Sequence, residues 1–318
     1  MSDLVTLADV DAAARRIAGR VVRTPLLALP DGLWLKPESL QPTGAFKLRG
    51  ATNAVTLLDD SQRRRGVLTH SSGNHGQALA YAAALAGVSC TVVMPRGASP
   101  VKVAATRRYG AHIDVVDEAD RIARVEEIAA RTGAEVVPPY DDARIIAGQG
   151  TVGREVVDDL PRVGTVLVPV GGGGLLSGVA VAVKALASAA RVVAVEPELA
   201  GDLAEGFARG ERVSWPAART TRTMAGGLHS QAVGALNWAH VQEFVDEVVT
   251  VTEAEIAAAV RFLATSGRVV AEPSGAVATA WWLRDRGAHR SAHRSAPVVS
   301  VVSGGNVEPA MFRDLLAG

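Results

Sequence analysis

Short apolar runs rich in valine alternate along this chain with longer segments suited to helix. The predicted strands are mostly continuous apolar runs, which is typical of strands covered on both faces in a parallel sheet. They cover residues 67–69, 91–94, 113–116, 165–170, 192–195 and 298–302. The predicted helices cover residues 76–86, 101–109, 121–131, 150–160, 175–187 and 253–265. This alternation predicts an α/β architecture with right-handed crossovers.

A length of 318 residues suggests roughly two domains. The predicted strands and helices separate into two clusters along the chain. We assign residues 66–141 to a small domain, and residues 1–65 together with 142–318 to a large one. Ligands of open α/β sheets bind at the carboxyl ends of the strands, so the loops at those ends are the candidate sites.

The charge balance excludes some classes of partner. The chain has 33 basic and 33 acidic residues and a formal net charge of zero, which argues against a nucleic-acid partner or an anionic membrane surface. No apolar run reaches membrane-spanning length, and the first residues lack the pattern of a signal peptide. The single cysteine, Cys90, lies in an apolar run, so we expect it to be buried and not nucleophilic. We therefore expect a soluble cytoplasmic protein.

Lysine is scarce. The chain has 29 arginines and four lysines, Lys36, Lys47, Lys102 and Lys184. Arginine stays protonated, so it cannot replace lysine where a free amine is needed. Lys47 follows a turn of proline, threonine and glycine in residues 41–51 and has apolar neighbours on both sides. Such surroundings lower the pKa of a lysine, as a Schiff-base lysine requires. An ordinary exposed lysine on a helix is the alternative.

Four consecutive glycines, residues 171–174, follow a predicted strand and precede a predicted helix. Glycine lets the backbone N–H groups approach a ligand closely beside the positive end of a helix, which indicates an anion site, most often for phosphate. The loop lacks the Walker and G-x-G-x-x-G spacings. Glu196 lies about where a ribose-binding acid would, so a nicotinamide cofactor and another phosphate ligand both remain hypotheses here.

Two further loops carry polar side chains at strand ends. Residues 70–77 place hydroxyl, amide and imidazole groups before a helix, where they would hold a carboxylate or a polar ring substituent. Helix capping accounts for one such residue, not for five. Ser303 ends the strand 298–302, where its hydroxyl either meets a ligand atom or caps the last helix.

These four loops, together and in this order, resemble pyridoxal-phosphate enzymes of fold type II, the tryptophan-synthase-β-like fold. The most similar group is the serine racemase and serine/threonine dehydratase family. The matching segments are residues 43–51 (TGAFKLRGA), 71–77 (SSGNHGQ), 146–151 (IAGQGT), 168–174 (VPVGGGG) and 303–307 (SGGNV). The resemblance implies two open parallel-sheet α/β domains with the cofactor site in the cleft between them, in a homodimer.

The resemblance also implies roles for individual residues. Lys47 forms the Schiff base with pyridoxal 5′-phosphate, Phe46 lies against the pyridine ring, Asn74 binds the ring oxygen, and Ser303 faces the pyridine nitrogen. The phosphate is held by backbone N–H groups of Gly171, Gly172, Gly173, Gly174 and Leu175. The substrate carboxylate is held by Ser71, Ser72, Asn74 and His75, with Ser230 as a further contact.

The activity implied by the resemblance is that of an ammonia-lyase, which converts L-serine or L-threonine to the 2-oxo acid and ammonia by β-elimination. Ser72 keeps two alternatives open. Plain dehydratases of the family tend to carry alanine there, whereas serine racemases carry serine to protonate the opposite face, and hydroxyaspartate dehydratases also carry serine. Serine racemisation and elimination from threo-3-hydroxyaspartate are therefore alternative activities. A non-catalytic module that binds the cofactor is the hypothesis from another class.

A metal site is also implied by the resemblance. Glu196, the carbonyl of Ala200 and Asp202 match the spacing of the divalent-cation site in the racemase-like branch. Oxygen ligands of this kind suit Mg²⁺ or Ca²⁺, and surface acids near a helix start are the alternative. Two residues depart from the family pattern: Gly226, where many relatives have aspartate, and Tyr140, where the mammalian racemases have an amide.

Overall fold

The structure is a computed structural model, and it describes residues 4–29, 32–71, 73–98, 100–284 and 296–318. The strands of these residues form two sheets, one of six strands and one of four. The strands are β1 (Leu27–Ala28), β2 (Leu33–Pro37), β3 (Val67–His70), β4 (Cys90–Pro95), β5 (His112–Val116), β6 (Glu135–Val136), β7 (Thr165–Pro169), β8 (Arg191–Pro197), β9 (Glu247–Val251) and β10 (Val298–Val302).

Helices cover both sheets. They are α1 (Leu7–Ile17), α2 (Lys47–Thr56), α3 (Asp60–Arg65), α4 (Asn74–Ala86), α5 (Pro100–Arg107), α6 (Arg121–Thr132), α7 (Ala143–Asp159), α8 (Gly174–Leu186), α9 (Asp202–Arg209), α10 (Ala217–Thr220), α11 (Ala235–Phe244), α12 (Glu253–Thr265), α13 (Pro273–Arg284) and α14 (Pro309–Ala317). In the part of the chain that the structure describes, none of these helices combines the length and apolarity needed to cross a membrane.

The six-stranded sheet has the order β1-β2-β10-β7-β8-β9, and all its neighbours are parallel except β1 and β2. Apolar cores lie on both of its faces. In β7, Val166 and Val168 pack into one core, and Leu167 packs into the other. Because successive side chains of a strand point to opposite faces, a strand buried on both faces needs a continuous apolar run.

The four-stranded sheet has the order β5-β4-β3-β6, and every pair in it is parallel. Helices α2 and α4 cover one face, and α6 covers the other. Cys90 opens β4 and is 7% exposed, and burial raises the pKa of its thiol to about 12, as expected of a residue that is not a nucleophile.

The predicted α/β class with parallel sheets is confirmed. The strands of the small sheet all fall within residues 66–141, while the domain boundaries themselves stay a prediction. The helix predicted over 150–160 begins seven residues earlier, at Ala143, where the Asp142 side chain accepts from the N–H of Arg144. Glycines within this segment lower its helix propensity, but they are needed for packing: a Cβ on Gly148 would lie 2.6 Å from the Cα of Gly50 in α2.

Beneath α2 lies a buried cluster of four charged residues, Lys36, Glu38, Arg49 and Glu155, which we call the charge quartet. The guanidinium of Arg49 donates to Glu38 at 2.7 Å and to Glu155 at 2.6 Å. The ammonium of Lys36 donates to Glu155 at 2.6 Å. Two positive and two negative charges therefore tie α2 to β2 and α7, which fixes where α2 begins.

Candidate active site

The predicted site segments meet at the carboxyl ends of the strands. The N–H of Phe46 donates to the carbonyl of Ser303 at 3.0 Å, and Ala45 forms an antiparallel bridge with Gly304. The segment that leads into α2 is therefore attached to the end of β10, and α2 begins at Lys47. This arrangement brings together the lysine segment and the Ser303 loop, which are far apart in the sequence.

The amine of Lys47 is the distinctive group of this cleft. The side chain is partly buried, and its Nζ donates to the carbonyl of Pro139 at 2.6 Å. It also lies 5.1 Å from the centroid of the Phe46 ring. No carboxylate in the described residues pairs with it, so burial lowers the pKa of Lys47 to about 8. A large share of the amine is therefore unprotonated in mildly alkaline solution.

The glycine loop is packed on one side and open on the other. A Cβ on Gly172 would lie 2.2 Å from the ring of Tyr140, and one on Gly173, whose φ is +96°, would lie 2.5 Å from Val233. The N–H groups of Gly171, Gly172 and Gly173 donate to no acceptor in the residues that the structure describes. The first turn of α8 adds further free N–H groups, so the loop supplies a set of donors suited to an anion.

Asn74 begins α4 and is held from two sides. Its Nδ2 donates to Glu272 at 2.6 Å, and its Oδ1 accepts from Asn306 at 2.8 Å. Burial raises the pKa of Glu272 to about 7. Glu272 lies outside the five matching segments and was not among the predicted site residues. The only local indication was an acidic residue directly after the apolar stretch 269–271.

The predicted carboxylate-binding residues differ in how they are placed. Ser71 lies just before α4, and its Oγ accepts from the N–H of Gly73 at 3.3 Å. The imidazole of His75 is 2% exposed and bonds the carbonyl of Val137, and burial lowers its pKa to about 3. His75 is therefore neutral, and it offers a ligand its backbone N–H at the helix start rather than its ring. Ser72 lies outside the described residues.

Ser230 lies beside the glycine loop. A Cβ on Gly171 would lie 3.4 Å from the Oγ of Ser230. Tyr140, the first departure from the family pattern, covers the packed side of the loop. Gly226, the second, opens a short 3₁₀ turn, and the next residue, Gly227, donates its N–H to the hydroxyl of Ser274 at 2.8 Å.

The predicted metal ligands Glu196 and Asp202 are buried, at 0% and 2% exposure, so the alternative of surface acids is wrong. Glu196 accepts from the N–H groups of Leu203 and Ala204 at the start of α9. Oδ2 of Asp202 is buried and has no partner. Burial raises the pKa of Asp202 to about 7, and burial together with the charge of Asp202 raises the pKa of Glu196.

Ala200 lies between these two acids in a 3₁₀ turn and is also buried. A cluster of three or more His, Cys, Asp or Glu side chains that could hold a metal does not occur in the described residues. Protein ligands for a cation at this position would therefore be two carboxylates supplemented by a backbone carbonyl.

Comparison with known families gives one match that covers most of the chain. The family model described as "Pyridoxal-phosphate dependent enzyme" matches residues 17–304. This span contains Lys47, the glycine loop and Ser303. The sequence-based resemblance is confirmed, and the hypothesis of a nicotinamide enzyme is dropped.

Individual relatives with three different activities resemble the chain to a similar degree. The catabolic L-threonine dehydratase of Escherichia coli K12 is 39% identical over 313 residues, covering 96% of this chain and 94% of that protein. The L-threo-3-hydroxyaspartate ammonia-lyase of Saccharomyces cerevisiae is 38% identical over 324 residues, covering 98% and 97%. The structure of maize serine racemase aligns with a TM-score of 0.92 at 37% identity, covering 99% of this chain and 98% of that one.

Proposed function

The chain belongs to the family of pyridoxal-phosphate-dependent enzymes, and from that membership we propose that it is an ammonia-lyase for L-serine or L-threonine. The observation that carries the proposal is the amine of Lys47, buried beside Phe46 without a carboxylate partner. A lysine paired with a carboxylate would stay protonated, whereas this one loses its proton near pH 8. The products of the reaction are a 2-oxo acid and ammonia.

The residues of the cleft fit pyridoxal 5′-phosphate. The unpaired N–H groups of Gly171, Gly172 and Gly173, with those of Gly174 and Leu175 in the first turn of α8, would hold the phosphate. Lys47 would hold the aldehyde carbon, Asn74 the ring oxygen, and Ser303 would face the pyridine nitrogen. When bound, the cofactor draws electrons away from the Cα of the attached amino acid.

The chain supplies the proton transfers. The free amine of Lys47 would take the proton from the Cα of the substrate, and its lowered pKa makes it a base at neutral to mildly alkaline pH. The free amine donates to the carbonyl of Pro139, which would orient it for this transfer. Phe46 packs beside the amine of Lys47 and shields it from water on that side.

The start of α4 would bind the substrate carboxylate. The hydroxyl of Ser71 and the free N–H groups of Asn74 and His75 lie at the positive end of this helix, which favours an anion. The ring of His75 stays neutral and bonded to Val137, so it contributes shape and not charge. Ser230 is a weaker candidate, because its hydroxyl lies beside the glycine loop and not at the start of α4.

A divalent cation is part of the proposal. Its ligands would be Glu196, the carbonyl of Ala200 and Asp202, and the buried, unpartnered Oδ2 of Asp202 supports this assignment. Mg²⁺ or Ca²⁺ suits such oxygen donors. The ion would neutralise two like charges beneath the glycine loop and thereby stabilise the fold. The homodimer and the cytoplasmic location stay predictions.

Racemisation of serine is the second candidate activity, favoured by Ser72 and by the likeness to maize serine racemase. Elimination from threo-3-hydroxyaspartate is the third, supported by the yeast relative. We expect Ser72→Ala to suppress racemisation and to spare elimination from the L-isomer, measured by chiral chromatography and ammonia release. Equal loss of both activities would contradict this role for Ser72.

The test of the function is a substrate panel of L-serine, D-serine, L-threonine and L-threo-3-hydroxyaspartate, with the 2-oxo acid, ammonia and both enantiomers quantified. We expect 2-oxo acid and ammonia in equal amounts from L-serine or L-threonine. Lys47→Ala should lose the reaction, and Lys184→Ala, a lysine that instead pairs with Asp246, should keep it. Uptake of the cofactor without any product would instead favour a non-catalytic binding module.

A further inference from the structure

Three side chains next to the cofactor site form a chain of hydrogen bonds whose direction is fixed at one end. The carbonyl of Thr43 is a backbone acceptor, so the side-chain atom of Asn306 that lies 2.8 Å from it must be the nitrogen. That same nitrogen lies 2.8 Å from Asn74, which must therefore present its oxygen. Asn74 then turns its nitrogen to Glu272, which accepts at 2.6 Å.

Packing holds both ends of this chain in place. Gly44 has a φ of +72°, and a Cβ there would lie 2.3 Å from the amide oxygen of Asn306, so the amide rests directly on the glycine. At the other end, a Cβ on Gly304 would lie 2.3 Å from Oε1 of Glu272. The backbone N–H of Glu272 also donates to the carbonyl of Gly304 at 3.0 Å. Both glycines therefore leave the space that these two side chains occupy.

The carboxylate of Glu272 has no ion-pair partner in the described residues, and its hydrogen-bond donor is Asn74. Lys102 in α5 is the basic group whose charge acts on it. A carboxylate placed at the end of a chain of amides, without a cation of its own, serves as the terminal acceptor of that chain. Its effect is to commit one N–H of Asn74 and to leave the other uncommitted.

We propose that Glu272 and Asn306 are positioning residues of the cofactor site, which fix the Asn74 amide so that its free polar hydrogen is available to the ring oxygen of pyridoxal phosphate. This inference rests on the proposed function. The ionised ring oxygen of the cofactor needs a donor. An amide held in the opposite orientation would present an oxygen lone pair and repel it.

The inference predicts that cofactor binding depends on the orientation of the Asn74 amide more than on which side chains form the hydrogen-bond chain. Asn306→Asp replaces the donor by an acceptor of the same shape, so Asn74 must reverse and turn its oxygen towards Glu272. Glu272→Gln alone keeps an acceptor oxygen for Asn74. The double variant Asn306→Asp with Glu272→Gln provides a donor for the reversed amide, so the contact between residues 74 and 272 is satisfied while Asn74 faces the wrong way. The lost hydrogen bond to the carbonyl of Thr43 is common to Asn306→Asp and the double variant.

The experiment measures the Kd of the cofactor-free protein for pyridoxal 5′-phosphate, the position of the visible absorption band of the bound form, and the melting temperature. The control is Glu308→Gln. Glu308 is exposed, carries the same charge as Glu272 and lies two positions from Asn306. We expect Asn306→Asp and the double variant to raise Kd by about 10- to 100-fold and to shift the band. The control should stay within about twofold of the wild type, a difference too small to reflect a lost hydrogen bond, and Glu272→Gln, which keeps an acceptor but loses the charge, should raise Kd by less than Asn306→Asp does.

The double variant separates positioning from structural support. If it recovers the melting temperature but not the Kd, the direction of the Asn74 amide is the cause. A wild-type Kd and band in both Asn306→Asp and the double variant would overturn the inference. If the wild-type chain itself takes up no cofactor, the proposed function fails instead, so the two failures are distinguishable.

Discussion

Lys36 and Lys47 lie eleven residues apart, and both withdraw an ammonium group from water, but their surroundings are opposite. In the charge quartet, Lys36 reaches the carboxylate of Glu155 and the carbonyl of Thr24, both at 2.6 Å. In the cleft, Lys47 donates to the carbonyl of Pro139 and pairs with no carboxylate of the described residues. Burial lowers the pKa of both, and for Lys36 the charges of Glu155 and Glu38 oppose that shift.

The buried acids of the two regions repeat this contrast. Burial by itself would raise the pKa of Glu38, but the guanidinium of Arg49 outweighs it and lowers that pKa. Glu272 and the pair of Glu196 and Asp202 have no ion-pair partner in the described residues, and burial raises the pKa of each. The quartet is complete by itself and stabilises the fold. The cleft holds charges that are left for a substrate, a cofactor or an ion.

The largest effect that tests this contrast is expected from Lys47→Ala. Turnover should fall by at least about 10³-fold, because the variant lacks the base that takes the Cα proton. The free energy of unfolding of the cofactor-free protein should change by no more than about 1 kcal/mol, because the lost ammonium has no carboxylate partner. Ammonia release and urea denaturation measure the two quantities. A loss of stability comparable with that of Lys36→Ala would contradict the contrast.

Breaking the charge quartet should instead lower the free energy of unfolding. Arg49→Met leaves Glu38 and Glu155 buried with only Lys36 to balance them, so we expect the free energy of unfolding to fall by about 3–5 kcal/mol. Urea denaturation of the cofactor-free protein measures it. The control is Arg191→Met, which breaks the exposed pair with Glu247 and should cost less than about 1 kcal/mol. If the two variants lose the same amount, the quartet is not a structural element.

The fold could be predicted from the sequence where an element is long and buried on both sides. β7 and β10 show mostly apolar runs for this reason. β6 has only two residues, too few to show a period, and β9 is only half-buried over most of its length, so neither was predicted. The early turns of α7 were missed because its glycines oppose helix locally, while close packing against α2 and α8 requires them.

The site could be predicted where its chemistry is local. The glycine loop and the lysine segment each carry their function within a few residues. Glu272 does not, because its partner Asn74 is 198 positions away and nothing in the adjacent sequence indicates the contact. The quartet was missed for the same reason, since Lys36 and Glu155 are 119 positions apart. Long-range pairing of charges becomes visible only once the fold is known.

A smaller effect concerns the pH at which the cofactor is taken up. Only the free amine of Lys47 attacks an aldehyde, and its pKa of about 8 lies below the ordinary lysine value of 10.5. Below pH 8 the uptake rate should therefore rise about tenfold per pH unit, and it should level off above pH 8. Stopped-flow absorbance measures this rate. Glu272→Gln removes a buried carboxyl whose pKa is raised to about 7, and it should leave the midpoint in place because burial, and not a carboxylate, sets the pKa of Lys47. A midpoint near 10 would mean that Lys47 is not desolvated.

The smallest effect concerns Glu196 and Asp202, which we call the acid pair. It tests whether this pair lacks the balancing positive charge that the charge quartet contains. Asp202→Asn removes one of two buried like charges while keeping the shape of the side chain. In the presence of a chelator, we expect it to raise the melting temperature by about 2 °C relative to the wild type, a shift of the size produced by roughly 1 kcal/mol. Magnesium should raise the melting temperature of the wild type and leave that of Asp202→Asn unchanged, because the variant lacks a ligand. Asp314→Asn, at an exposed aspartate, should retain the full magnesium response. An equal magnesium response in Asp202→Asn and Asp314→Asn would mean that the cation binds elsewhere and not at the acid pair.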